Sequence, residues 1–172
     1  MYKFKLEYGN IFDYVGKADC ICVTTNGTIK TNGELVMGAG VAKQFYDKYK
    51  DLGIARILAN KLYRGTPLKT MHVVNSKDNI CYKAIDAKDN YGTYVLSFPT
   101  KNHFMDKGDL ELIKRSAHRA MLFADMYNLK NIIIPSPGTG CGQLDEEDVY
   151  EALNDILDER FTIIKYANVK AF

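Results

Sequence analysis

The chain has 172 residues, 47% of them hydrophobic and 26% charged, with a formal net charge of only +2. That is the profile of one ordinary globular domain with a sizeable core. It excludes a disordered segment, a strongly basic nucleic-acid tail and, since no apolar run approaches the roughly 20 residues that span a bilayer, a membrane-crossing helix.

The N-terminal residues "MYKFKLEYGN" lack the long apolar core of a signal peptide. A cytoplasmic protein is expected, with no membrane partner. Within the N-terminus, "KFKLEY" (3–8) alternates like a half-buried strand. "DCICVTT" (19–25) is a short β-branched run that predicts a buried strand. Cys20 and Cys22 share one face of it, two residues apart. None of the four cysteines forms a C-x-x-C pair, so no metal site is expected.

"TTNGTIKTNGELVMGAG" (24–40) is a glycine-containing loop leading into a predicted helix over 39–50, with Val41, Phe45 and Tyr49 on one face. A second helix is predicted over 53–63, apolar at Ile54, Ile57, Leu58 and Leu62. A strand-rich middle follows, at 70–76, 79–85 and 93–98, with "KDN" (77–79) as the hairpin turn between the first two strands. The clearest helix covers 108–127, striped by Leu110, Ile113, Ala117, Met121 and Ala124. "NIIIPS" (131–136) reads as a strand buried on both faces. The loop "PSPGTGCGQL" (135–144) then leads to a helix over about 146–157, with Asp145 as its N-cap and Val149, Leu153, Ile156 and Leu157 inward. "FTIIKYA" (161–167) closes as a last strand.

Strands alternating with amphipathic helices predict a three-layer α/β/α sandwich with a central mixed sheet, in one domain over 1–172. Such sheets bind ligands at the carboxyl edge of their strands. Two glycine-rich loops leave apolar strands and end at helix N-termini, at 24–41 and 134–147. Helix N-termini and successive glycine amides both suit phosphate oxygens. Two such loops point to a diphosphate, or to a phosphate with a sugar. Neither the Walker pattern nor the Rossmann fingerprint is present.

Four segments carry a resemblance: "GNIF" (9–12), "TTNG" followed by "VMGAGVAKQF" (24–45), "FPTKNHF" (98–104) and "PSPGTGCGQLDEEDV" (135–149). Together they resemble the macrodomain family, which binds ADP-ribose, over nearly the whole length. The resemblance extends to the group that removes ADP-ribose from proteins or from DNA and to ADP-ribose-1''-phosphate phosphatases. It implies an ADP-ribose ligand, free or on a protein or nucleic acid, no cofactor and a monomer.

The resemblance also assigns roles. Gly9, Asn10 and Ile11 would meet the adenine. Asn10 stands where the family has an acid, and its amide oxygen could accept the same hydrogen bond from the adenine amine, without charge. Asn26 would hold the distal ribose, or instead make the turn before Gly27. Gly38, Ala39, Gly40 and Val41 would wrap the diphosphate and distal ribose. Ser136, Gly138, Thr139, Gly140, Cys141 and Gly142 would close over the other side, with Cys141 offering its backbone amide.

Related hydrolases carry catalytic aspartates where this chain has Ala42 and Gln143. In the group this chain resembles, a lysine at the place of Lys101 acts on the anomeric carbon, so the resemblance implies Lys101 as the catalytic group, with Asn26 orienting the ribose; a solvated loop lysine is the alternative. His103 is close enough in sequence to partner Lys101, or is an incidental loop histidine. Asp106 and Asp109 are expected to start the long helix. An enzyme, a non-catalytic ADP-ribose-binding module and a binder of another nucleotide all remain compatible with the sequence.

Overall fold

A computed structural model describes residues 1–62, 72–73, 81–88 and 91–166. A six-stranded sheet forms its centre. The strands are β1 (Lys5–Tyr8), β2 (Cys20–Thr25), β5 (Cys81–Lys88), β6 (Tyr91–Pro99), β7 (Ile132–Pro135) and β8 (Phe161–Lys165). Their order is β1-β8-β7-β2-β6-β5. All neighbours pair in parallel except β5 and β6. The helices are α1 (Gly40–Tyr49), α2 (Ile54–Leu62), α3 (Leu110–Met126) and α4 (Glu146–Asn154).

Alternation along the central strands sorts their side chains into two cores. Ile21, Val23, Val95, Ile133 and Ile164 pack with Phe45, Tyr49, Ile54 and Leu58 of α1 and α2. Cys20, Cys22, Leu96, Ile132, Ile134 and Ile163 pack with Ile113, Ala117, Val149 and Leu153 of α3 and α4. Each strand thus buries both faces, which is why these runs are apolar throughout. Helices on both sides of a mixed sheet make the expected α/β/α sandwich. Among the described residues, no helix is long and apolar enough to cross a membrane.

Two expectations need correction. All four residues of β1 are exposed rather than alternating. It is an edge strand, and the buried residue is Phe4, just ahead of it. The predicted hairpin across 77–79 lies outside the described residues. Of its flanks, β4 (His72–Val73) pairs antiparallel with β3 (Thr28–Ile29) in a separate two-stranded sheet, and β5 pairs with β6. On α3 the buried stripe runs through Leu112, Ile113, Ser116, Ala117, Ala120 and Ala124, while Leu110 and Met121 are only partly buried. Ser116 is tolerated there because its hydroxyl donates to the Pro99 carbonyl, 2.7 Å away.

Parallel pairing has one consequence for function. The carboxyl ends of β1, β8, β7, β2 and β6, at Tyr8, Lys165, Pro135, Thr25 and Pro99, all reach the same edge of the sheet. Whatever follows those five residues is gathered in one place.

Candidate ligand cleft

What is gathered there is a cavity of about 740 Å³. Every one of the five parallel strands feeds its wall: Tyr8 from β1, Lys165 and Tyr166 from β8, Ser136 after β7, Asn26 after β2, and Thr100 with Lys101 after β6. Gly38 through Ala42 and Gly138 through Gly142 supply opposite flanks.

Hydrogen bonds lock the wall loops together. Asn26 is buried, and its Nδ2 donates to the Val36 carbonyl at 2.9 Å while its Oδ1 accepts from the Thr28 N–H at 2.9 Å. The turn-making role and the cleft-lining position therefore coincide in one residue. The 100–104 segment is tied to the same turn. Thr100 N–H donates to the Thr25 carbonyl (3.0 Å), Gly27 N–H to the Asn102 carbonyl (2.7 Å) and Phe104 N–H to Thr28 Oγ1 (3.1 Å). Lys101 lies between two of these anchors. The second glycine loop is attached through Gly108 N–H to the Gly142 carbonyl, 2.8 Å. Ser136 Oγ bonds both Thr139 Oγ1 (2.8 Å) and Tyr150 Oη (2.7 Å). Burial is the main reason the Tyr150 phenol titrates above its usual range.

The helix termini differ in a telling way. Asp109 caps α3 by accepting from Leu112 N–H, and Asp145 caps α4 by accepting from Glu147 and Asp148 N–H. Both helices also carry acids in the first turn. At α1 the N-cap is Ala39, with no side-chain cap and no acid in the first turn. Its leading residues Gly40, Val41 and Ala42 face the cavity. A helix start of this kind presents unsatisfied N–H groups and the positive end of the dipole, the elements of an anion site.

The glycines separate into two kinds. A Cβ on Gly142 would stand 2.5 Å from the Gly138 carbonyl oxygen, so that glycine serves the packing of its own loop. A Cβ on Gly38 or Gly140 would meet no protein atom within 4 Å, and both residues line the cavity. Gly40 begins α1 at φ +57°, in the left-handed region that a β-branched residue enters only with strain.

Charge in the cavity is sparse. Glu146 is the one acidic side chain lining it among the described residues, and it pairs with Lys165 at 2.9 Å. That hydrogen bond is the main cause holding the Lys165 ammonium pKa above its usual range. Lys101, half-buried, has no ion-pair or hydrogen-bond partner among the described residues.

The structure thus brings together Asn26, Gly38, Ala39, Gly40, Val41, Lys101, Ser136, Gly138, Thr139, Gly140, Cys141 and Gly142. It does not bring Gly9, Asn10 or Ile11 to the cavity wall. Asn10 spends its Oδ1 on the Phe12 N–H at 3.0 Å, capping a short 3-10 turn, and Ile11 is fully buried beneath it. Their neighbour Tyr8 lines the cavity in their place. Asp109 does start α3, whereas Asp106 accepts from His103 N–H and closes a turn before it. His103 is occupied within that turn, its Nδ1 accepting from Met105 N–H at 3.1 Å. Tyr8, Lys165 and Tyr166 are cleft residues outside the motifs, and Glu146 is one inside the last motif to which the resemblance assigns no role.

The Macro domain family model matches residues 30–153. The DNA ADP-ribosyl glycohydrolase of Mycobacterium tuberculosis (strain ATCC 25618 / H37Rv) is 28% identical over 139 residues, which cover 80% of this chain and 36% of that protein. The chain therefore spans about a third of the length of that curated relative. Among solved structures, Thermosipho africanus DarTG in complex with ADP-ribose superposes with a TM-score of 0.73 at 21% identity, covering 100% of this chain and 43% of that one. The macrodomain of Thermus aquaticus DarG gives 0.70 at 22% identity, covering 95% and 97%.

Proposed function

The chain belongs to the Macro domain family, and from that premise we propose that it binds ADP-ribose in this cleft and hydrolyses ADP-ribosyl adducts on DNA. The observation that carries the binding half is the start of α1. It is uncapped, free of acids and turned into the cavity, opposite a second loop whose Gly140 leaves space for a ligand. A diphosphate would lie between the two, with the Lys101 amine nearby. The DNA adduct is favoured by the activity named for the M. tuberculosis relative.

Lys101 carries the chemical half. In its neutral form, the amine's lone pair attacks the anomeric carbon of the distal ribose. The bond from that carbon to the modified base breaks, and the base leaves with the electron pair and takes up a proton. Water then displaces the lysine, giving free ADP-ribose. Asn26 holds the ribose side of the cavity through its remaining amide proton and lone pair, its other hydrogen bonds fixing it in place. The unit is residues 1–172, acting as a monomer in the cytoplasm.

A second reading, a binding module without turnover, rests on the acidic content of the cavity. Glu146 is the sole carboxylate among the described lining residues, and it is engaged by Lys165. Calorimetry with ADP-ribose and AMP tests the shared part of both readings. ADP-ribose binds much more tightly, because AMP forgoes a phosphate and a ribose and their charge-assisted contacts, each worth about 1.5–3 kcal/mol. Equal affinities would contradict a diphosphate site. Release of ADP-ribose from labelled DNA separates the enzyme from the module.

A further inference from the structure

A second hollow, of about 390 Å³, adjoins the cleft. Val36, Met37, Gly38 and Phe104 line both, so they form a shared wall. That wall stands on the Lys101 side of the cleft. Asn26 donates to Val36, and Phe104 follows Lys101 by three residues in a segment pinned to Thr28.

The rest of the hollow is lined by Lys30, which lies just beyond β3, by Leu35, and by Lys43, Tyr46 and Asp47 from α1. Tyr46 is half-buried against the core under α1, and Phe104 stacks on His103 with ring centroids 4.6 Å apart. Two anchored rings therefore stand beside two ammonium groups. Both lysines make i,i+4 ion pairs, Lys30 with Glu34 and Lys43 with Asp47, in which the lysine side chains are 41% and 56% exposed. Exposed pairs of this kind contribute little, so either amine can turn to a phosphate at small cost. Rings that stack bases and cations that follow a backbone are the elements of single-strand recognition.

We propose that this second hollow seats the nucleotide next to the ADP-ribosylated one on a single DNA strand. Its base would lie against Tyr46 or Phe104, and its phosphates against Lys43 and Lys30. The inference rests on the reading that the main cleft holds ADP-ribose on DNA.

The test compares a parent protein, Lys101→Ala with the native hollow, with the same protein carrying the double change Lys30→Gln/Lys43→Gln. The Lys101→Ala background keeps the labelled DNA from being hydrolysed during the measurement. Three probes are used: free ADP-ribose by calorimetry, and an ADP-ribosylated single-stranded oligonucleotide and an ADP-ribosylated mononucleotide by fluorescence anisotropy. The parent is expected to bind the oligonucleotide at least about tenfold more tightly than the mononucleotide. The double variant loses that advantage, and the slope of log affinity against log salt falls by about one per lysine. Its affinity for free ADP-ribose stays at the parent's value. Equal binding of the two nucleotide probes by the parent, or an undiminished preference in the double variant, overturns the proposal while leaving the ADP-ribose reading intact. Absence of ADP-ribose binding by the wild type removes both.

Discussion

The Nδ2 of Asn26 donates to the carbonyl of Val36 across 2.9 Å, joining the carboxyl end of β2 to the wall between the two hollows. The other end of the same amide accepts from Thr28, whose Oγ1 in turn holds the segment that carries Lys101. One buried side chain thereby sets the spacing of the first glycine loop, the lysine segment and the shared wall.

Asn26→Ala is therefore expected to cost about 1–3 kcal/mol of stability, since it leaves the Val36 carbonyl and the Thr28 N–H without these partners. Asn26→Asp should recover little. A carboxylate keeps the bond from Thr28 but faces the Val36 carbonyl with no proton to give. Urea denaturation of the three proteins checks this. Equal stability of wild type and both variants would mean the clamp contributes nothing.

The two kinds of glycine predict opposite outcomes. Gly142→Ala places a Cβ against the Gly138 backbone and should destabilise the fold by about 1–3 kcal/mol. Gly140→Val meets open space, so its stability should stay within about 0.5 kcal/mol of wild type. Its ADP-ribose affinity should fall at least about tenfold, or about 1.4 kcal/mol. Gly40 is a poorer probe, because its φ of +57° makes a β-branched residue costly whatever the ligand does. Melting curves with and without ADP-ribose separate these cases.

The three-layer architecture was legible because each central strand is apolar on both faces and each helix on one. The glycine loops were legible because their composition makes little sense without a close approach. What escaped was non-local. Lys165 and Tyr166 reach the cleft only because β8 runs parallel between β1 and β7, which no local pattern announces. Glu146 reads in the sequence as a first-turn acid of α4, and its pairing with Lys165 requires the folded sheet. The two-residue strand β3 lay hidden inside a loop read for its glycines. Asn10 was read through the family's adenine motif, whereas here its oxygen caps the turn that follows it.

The Glu146–Lys165 pair makes a pH prediction. Glu146 raises the Lys165 pKa above its ordinary value of 10.5. A base raised in the folded state adds stability that is fully present below the unfolded value and is lost as pH climbs through the folded one. The pair's contribution to stability should thus be constant through neutral pH and should decline as pH rises above 10.5. Glu146→Gln should lower the Lys165 titration midpoint, read by NMR at its ε-methylene. An unchanged midpoint would contradict the pairing.

Lys101 decides the central claim. The most direct measurement is release of ADP-ribose from labelled, ADP-ribosylated single-stranded DNA by the wild type and by Lys101→Ala, with calorimetry of ADP-ribose on both proteins. The account predicts release by the wild type and none by the variant. It also predicts that the variant keeps its ADP-ribose affinity to within about tenfold, or about 1.4 kcal/mol, because the diphosphate is held by the α1 terminus and the second glycine loop. Undiminished release by Lys101→Ala, or no release by a wild type that binds ADP-ribose, would contradict it.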